Sequence, residues 1–353
     1  MSDVIYLNAC GHGLPGARTL TRVADYMMRE AEVGAERAEA EHRLELDQVR
    51  VDAARLFGTP VAKTGFGHTT SQLWLRLVTQ LPWSGGRILI SDFEWGDNVR
   101  FLQLMAAQTG ARVEVVPTFV DGVFDPDIWQ SRIDEDVIAI CLPTVTSIAG
   151  LRFPVEAVLD LGLPDRCLTI VDTAQGVGRL DLSGILPRCD VAVATMRKWM
   201  RGPRQSAVFS LSDRAQDVLG LTVAQVEGSD SNFGLRAGLG VALAEYLDGA
   251  AERQAKLQTL QDHLRAGLET LGLEPFQQGD HVVGTTCLAL PMERKEVLAG
   301  RLTDAGIVVK WPSPHQDEPL APFDHTQAHL RIAPHEYNSV DDIDRMLAVL
   351  DGS

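Results

Sequence analysis

Residues 168–203 read LTIVDTAQGVGRLDLSGILPRCDVAVATMRKWMRGP, and two short apolar runs inside that stretch decide the architecture. LTIV and VAVAT are rich in β-branched residues and show no polar alternation, so each reads as a strand buried on both faces. The same signature recurs upstream in RILIS at 87–91, RVEVVP at 112–117 and VIAICLP at 137–143, and downstream in AVFSL at 207–211. Helical patterns at 98–109 and 155–161 fall between the runs. Strand alternating with helix predicts an α/β fold whose mainly parallel sheet carries helices on both faces. Ligands of such sheets sit beyond the carboxyl ends of the strands. The polar residues there are Asp172, after LTIV, and Thr195, Arg197 and Lys198, at the end of VAVAT and just past it.

From about Gly234 the texture changes to a long helical stretch at 237–271, strand-like runs at 285–290 and 306–309, and a polar C-terminal helix. This predicts a smaller α+β domain. The expected division is an N-terminal segment at 1–20, a large domain at 21–235 and a small domain at 236–353, with the site between the two domains. The length of 353 residues at 45% hydrophobic suffices for two cores. A formal net charge of -16 argues against nucleic acid or an anionic membrane surface as partner. No run approaches the ~18 apolar residues of a spanning helix, and the first residues lack a signal-peptide pattern, so a cytoplasmic protein is expected. Cys10, Cys141, Cys167, Cys189 and Cys287 are scattered and mostly set in apolar runs, which suits reduced structural thiols rather than disulfides or a metal site.

A carboxylate at one strand end can hold a pyridine nitrogen protonated, and a lysine past the next strand can form a Schiff base with an aldehyde. Pyridoxal phosphate (PLP) requires both. Such a lysine must titrate well below the ~10.4 of the free side chain, which burial and a cation such as Arg197 would favour. Taken alone, the pair equally suits a turn cap and a snorkelling lysine. The segment TGFGHTTS at 64–71 precedes the helical pattern LWLRLVTQL. It reads as a glycine turn whose following helix start could cradle an anion, or as an ordinary capped helix. In LRIAPHEYNSVDDIDRML at 330–347, the planar Arg331 guanidinium could take a carboxylate in two parallel hydrogen bonds.

The combination of VDTAQGVG at 171–178 and ATMRKWMRGP at 194–203, with Lys198 twenty-six positions after Asp172, resembles the class V aminotransferase family of fold-type I PLP enzymes. The resemblance runs in order through almost the whole chain. It implies a seven-stranded sheet in the large domain, a Schiff base on Lys198, an Asp172 partner for the pyridinium nitrogen, and a Gln175 hydrogen bond to the cofactor's phenolic oxygen. Thr195 and Arg197 then fall at phosphate-contacting positions. The family's Gly-Ala-Thr-Glu-like turn is Gly67, His68, Thr69 and Thr70 here, which makes His68 and Thr69 phosphate binders. Trp95, in SDFEWGDNVR, stands where the family stacks a ring, often histidine, on the pyridine. Ser147, in PTVTSIAG, falls near the phenolic oxygen, and Ser229, in GSDSN, near the element that contacts the phosphate held by a neighbouring subunit, so a homodimer with shared sites is implied. Arg331 corresponds to the arginine of an Arg-x-Ser element whose serine is Ala333 here, and would bind the carboxylate of an amino-acid substrate.

Cysteine desulfurases of this family need a nucleophilic cysteine on a loop shortly before that arginine. Residues 310–330 read KWPSPHQDEPLAPFDHTQAHL and hold none. His315 and His325 are the acid-base or substrate-binding candidates on this loop, His315 foremost. REAEVGAERAEAE at 29–41, with Arg-Lys-Trp and Gly-Pro-Arg, is similar to hercynylcysteine sulfoxide lyases of ergothioneine biosynthesis, with Gln205 where those enzymes commonly have glycine. The resemblance implies a carbon-sulfur lyase that acts on a cysteine-derived amino acid by β-elimination. An amino-acid epimerase or aminotransferase would use the same residues.

Overall fold

The computed structural model describes residues 4–229, 231–276 and 282–352. Its centre is a seven-stranded sheet. In chain order the strands preceding it and within it are β1 (Ile5–Tyr6), β2 (Thr64–Gly67), β3 (Arg87–Ser91), β4 (Arg112–Val116), β5 (Val137–Pro143), β6 (Leu168–Asp172), β7 (Val191–Thr195) and β8 (Ala207–Leu211). The spatial order is β2-β8-β7-β6-β5-β3-β4. Neighbours run parallel except β8, which is antiparallel to both β2 and β7. β5, β6, β7 and β8 are buried along their whole length, as their unbroken apolar runs require.

Six of the seven strands coincide with the apolar runs of the sequence. The seventh corrects the reading of 64–71 as a turn: Thr64–Gly67 is an edge strand paired with Phe209 and its neighbours. Two glycines in four residues lower strand propensity and hide the pattern. The strand survives because the second partner of β8 leaves no room there: a Cβ on Gly65 would lie 2.4 Å from the Phe209 ring.

The chain places β4 on one side of β3 and then returns to lay β5 on the other. This reversal opens a crevice at the carboxyl ends of β3 and β5, the place where open α/β sheets bind ligands. Helices α1 (Ala17–Val33), α2 (Arg43–Phe57), α3 (Thr70–Val78) and α4 (Gly96–Thr109) belong to this part. Helix α5 (Phe233–Thr270) packs on α1 and α2 in its first half; at Gly249 the backbone leaves helical geometry, with φ −123° and ψ 21°. Past that kink it buries Leu257, Leu260, Leu264 and Leu268 in a second core.

That second core is built on β9 (Thr286–Pro291), β10 (Ile307–Val308), β11 (Gln327–Ile332) and the last helix. β9 and β11 pair antiparallel, and β10 pairs in parallel with β1 from the chain start. Ile5 and Leu7 therefore sit in the same core as Leu330 and Ile332. Beyond β1 the Ala9 N–H donates to the Ala333 carbonyl at 3.0 Å, so the position of the family's serine here carries a backbone junction. Among the described residues no helix is long and apolar enough to cross a membrane.

Candidate active site

The strand ends converge on a cavity of about 310 Å³. Trp95 reaches it from the start of α4, Ser147 from the loop after β5, Asp172 from β6, and Thr195, Arg197 and Lys198 from β7 and the turn beyond. His68, Thr69 and Arg331 also line it. The structure thus brings together nine residues singled out in the sequence. It leaves three off the wall. Gln175 is buried behind it, Ser229 is exposed away from it, and His315 stacks on His325 with ring centroids 3.9 Å apart.

Lys198 is deeply enclosed while keeping some surface toward the cavity. Burial is the main force lowering its pKa, to about 7; the Arg197 guanidinium adds to the shift and Asp172 opposes it. Such an amine has a substantial neutral fraction at neutral pH and can act as nucleophile or base. The N-terminal loop closes over the lysine turn. The Gly13 N–H donates to the Arg197 carbonyl at 2.8 Å, and a Cβ on Gly13 would lie 2.3 Å from the Lys198 carbonyl oxygen, so only glycine allows this contact.

Asp172 is 7% exposed. Its Oδ1 accepts from the Ala174 N–H at 2.8 Å and its Oδ2 from Asn98 Nδ2 at 3.2 Å. Burial raises its pKa, and the Ala174 N–H, Lys198 and Asn98 pull it back. Behind it, Asn98 Nδ2 also donates to Glu94 Oε1 at 2.9 Å. Glu94 is fully buried, and burial together with the Asp172 charge pushes it up to about 8. Of this carboxyl pair, Asp172 faces Lys198, while burial and the neighbouring Asp172 favour the protonated form of Glu94.

Around the opposite end, Thr69 caps α3 by accepting from the Gln72 N–H at 3.1 Å. The buried Thr70 hydroxyl has no partner in the protein. The start of α3, Thr70, Ser71, Thr195 and Arg197 all line the cavity, a donor set of amides, hydroxyls and a guanidinium that suits a phosphate. Arg197 also donates to the Gly11 carbonyl. With Asp172, Lys198 and this donor set lining one cavity, the residues present fit PLP.

A further part of the wall is formed by Arg331 on β11. Its Nη1 donates to the Ser147 carbonyl at 2.8 Å and weakly to Ser147 Oγ at 3.4 Å, while Nε is buried without a partner. Gln175 holds the same serine: its Nε2 donates to Ser147 Oγ at 3.3 Å and to the Cys10 carbonyl at 3.0 Å, and its Oε1 accepts from Trp199 Nε1 at 3.0 Å. Gln175 therefore braces the wall from behind. Gln205 lines the cavity with φ 59°, a left-handed backbone that favours glycine.

Sequence reasoning missed Cys10, Gly11, Asp97, Lys310 and Asp317 on the wall, and Glu94 and Asn98 behind it. Glu94 and Asn98 lie on either side of Trp95, Glu94 just before the helix N-cap and Asn98 in the first turn. The N-terminal and 310–317 contributions carry no local signal, because only the tertiary fold brings them to the sheet.

The family model described as Aminotransferase class-V matches residues 5–346. The chain is 30% identical to a probable hercynylcysteine sulfoxide lyase of Mycobacterium tuberculosis over 98% of its length and 89% of that protein. It is 24% identical to a probable cysteine desulfurase of Vibrio cholerae, over 90% of this chain and 84% of that one. Among solved structures, the apo cysteine desulfurase of Thermococcus onnurineus superposes with a TM-score of 0.87 at 18% identity, covering 99% of this chain and 94% of the other. The cystine C-S lyase C-DES, in complex with its product cysteine persulfide, gives 0.85 at 18% identity, covering 99% and 98%. The chain belongs to the class V aminotransferase family and is a PLP-dependent enzyme.

Proposed function

We propose that the protein is a carbon-sulfur lyase that cleaves a cysteine-derived amino acid by β-elimination, with a hercynylcysteine sulfoxide-like compound as the substrate class. One observation carries the choice of reaction: the segment 310–330, which faces the substrate side through Lys310 and Asp317, contains no cysteine. All five thiols are buried. Cys287 is held in β9 and pushed up to about 12 by burial, and the cavity-lining Cys10 directs its Sγ to the Asn8 amide at 3.9 Å. None is placed as an accessible thiolate for persulfide chemistry. The 30% identity to a probable hercynylcysteine sulfoxide lyase across nearly the full chain supports the same reading.

In this reading Lys198 holds the cofactor, Asp172 meets its ring nitrogen, Trp95 covers the ring, and His68, Thr69, Thr195 and Arg197 surround the phosphate, with Ser147 beside the phenolic oxygen. Bound PLP supplies an electron sink for the pair left on the substrate Cα. Arg331 grips the α-carboxylate and fixes the Cα–H bond in space. The Lys198 amine, near neutral in pKa, takes the Cα proton. The Cβ–S bond then breaks, the sulfur fragment leaves with the bonding electrons and a proton, and water hydrolyses the released three-carbon enamine to pyruvate and ammonia. The active unit in this proposal is a homodimer, in keeping with an exposed Ser229 that does not reach its own cavity.

The test is incubation of holoenzyme with S-substituted cysteines and their sulfoxides, hercynylcysteine sulfoxide among them. Pyruvate and ammonia in equal amounts are expected. Binding without pyruvate would replace elimination by epimerisation or transamination.

A further inference from the structure

Glu318 follows α6 (Pro314–Asp317) and is fully buried. Its Oε1 accepts from the Ser147 N–H and from the Ile148 N–H, the latter at 3.2 Å, and its Oε2 has no partner among the described residues. Among the described residues no lysine, arginine or histidine forms an ion pair with it. A carboxyl taken out of water without a counter-ion in contact is costly, so its placement calls for a reason. Ser147 supplies one. Its N–H is held by Glu318 while its carbonyl holds Arg331 Nη1. Glu318 thus fixes the residue that fixes the guanidinium, and the fixed guanidinium keeps Nε free of any protein partner.

The carboxyl is brought there by an unusually close seat. The Gln316 carbonyl oxygen lies 1.8 Å from where a Cβ on Gly96 would be, and Arg100 Nη1 donates to that same oxygen at 3.2 Å. Helix α6 therefore rests on the first turn of α4, beside Trp95. Asp317 closes the turn by accepting from the Ser313 N–H at 3.0 Å.

We propose that Glu318 is the positioning residue for substrate-carboxylate recognition, acting on Arg331 through the Ser147–Ile148 backbone. The inference rests on Arg331 being the carboxylate site. Because a single oxygen accepts both N–H groups, Gln can do the same work and Ala cannot.

The holoenzymes of wild type, Glu318→Gln, Glu318→Ala and Arg331→Ala, with the double variant, are titrated spectroscopically with an S-substituted cysteine and with the corresponding amine that lacks the carboxylate. Turnover of the cysteine is followed in parallel. Glu318→Ala is expected to weaken the amino acid, and to raise its KM, by about tenfold while kcat stays within about threefold. Binding of the amine stays unchanged, and Glu318→Gln behaves as wild type. In the Arg331→Ala background Glu318→Ala has no further effect. If Glu318→Ala does not accumulate as folded protein, Glu318→Asp, one methylene too short, shows the same selective loss. Equal weakening of amino acid and amine, additivity with Arg331→Ala, or no change in amino-acid affinity would each overturn the role of Glu318. Unchanged amino-acid affinity in Arg331→Ala alone would instead overturn the underlying assignment of Arg331.

Discussion

The wall of the cavity nearest the sheet is made of residues that end strands or follow them within a few positions, whereas the facing wall is assembled from Cys10, Gly11, Lys310, Asp317 and Arg331. On the sheet side local hydrogen bonds at the strand ends contribute directly: Asp172 accepts from the Ala174 N–H two residues on, alongside the more distant Asn98. On the facing side the holding groups are remote in sequence: Glu318 grips Ser147, and Ser147 grips Arg331. The sheet side can perform the same chemistry in many relatives, while the facing side can be rebuilt without disturbing it, which is how one fold serves several reactions.

If that division is real, damage to the sheet side removes catalysis and damage to the facing side changes which molecule is accepted. Lys198→Ala should abolish the visible cofactor band and reduce turnover by about 10⁴-fold, measured by absorbance and pyruvate release. Asp172→Ala should keep cofactor bound, as absorbance at equal occupancy will show, and lose about 10²- to 10³-fold in kcat. The next effect is one of pH. Only the neutral amine attacks an aldehyde, and a Lys198 pKa lowered from 10.5 to about 7 moves the rise in neutral amine to neutral pH. Capture of PLP by the apoprotein should therefore quicken about tenfold between roughly pH 6 and pH 8 and then level; stopped-flow absorbance showing a rise only near the ordinary lysine range would contradict the burial argument. His315→Ala should be the mildest, changing kcat/KM about twofold or less, because its ring stacks on His325 outside the cavity wall. A large His315 effect would mean that the facing wall extends to that pair of rings.

The same division explains what the sequence disclosed. Strand ends were legible because a buried parallel strand is an uninterrupted apolar run, so the polar residues that close or follow it, Asp172 on β6 and Arg197 and Lys198 after β7, stand out. Arg331 was legible only through the motif around it. Thr64–Gly67 was obscured by its glycines, and Gln175, expected to face the cofactor, spends its amide on Cys10, Ser147 and Trp199. Glu318 sits in a polar stretch where nothing local distinguishes a buried carboxylate from a solvated one. Its significance depends on a loop 170 residues earlier in the chain.

The pairing of β1 with β10 also has a bearing on how the molecule is made. Ile5 and Tyr6 are synthesised well before their partners Ile307 and Val308. The loop that follows β1 carries the Cys10 and Gly11 carbonyls used by Gln175 and Arg197. A growing chain can complete its central sheet while the first residues still lack their strand partner, since domains form as units in the order of their synthesis. The loop that completes the cavity wall therefore gains its strand partner only once residues 307–308 have been made.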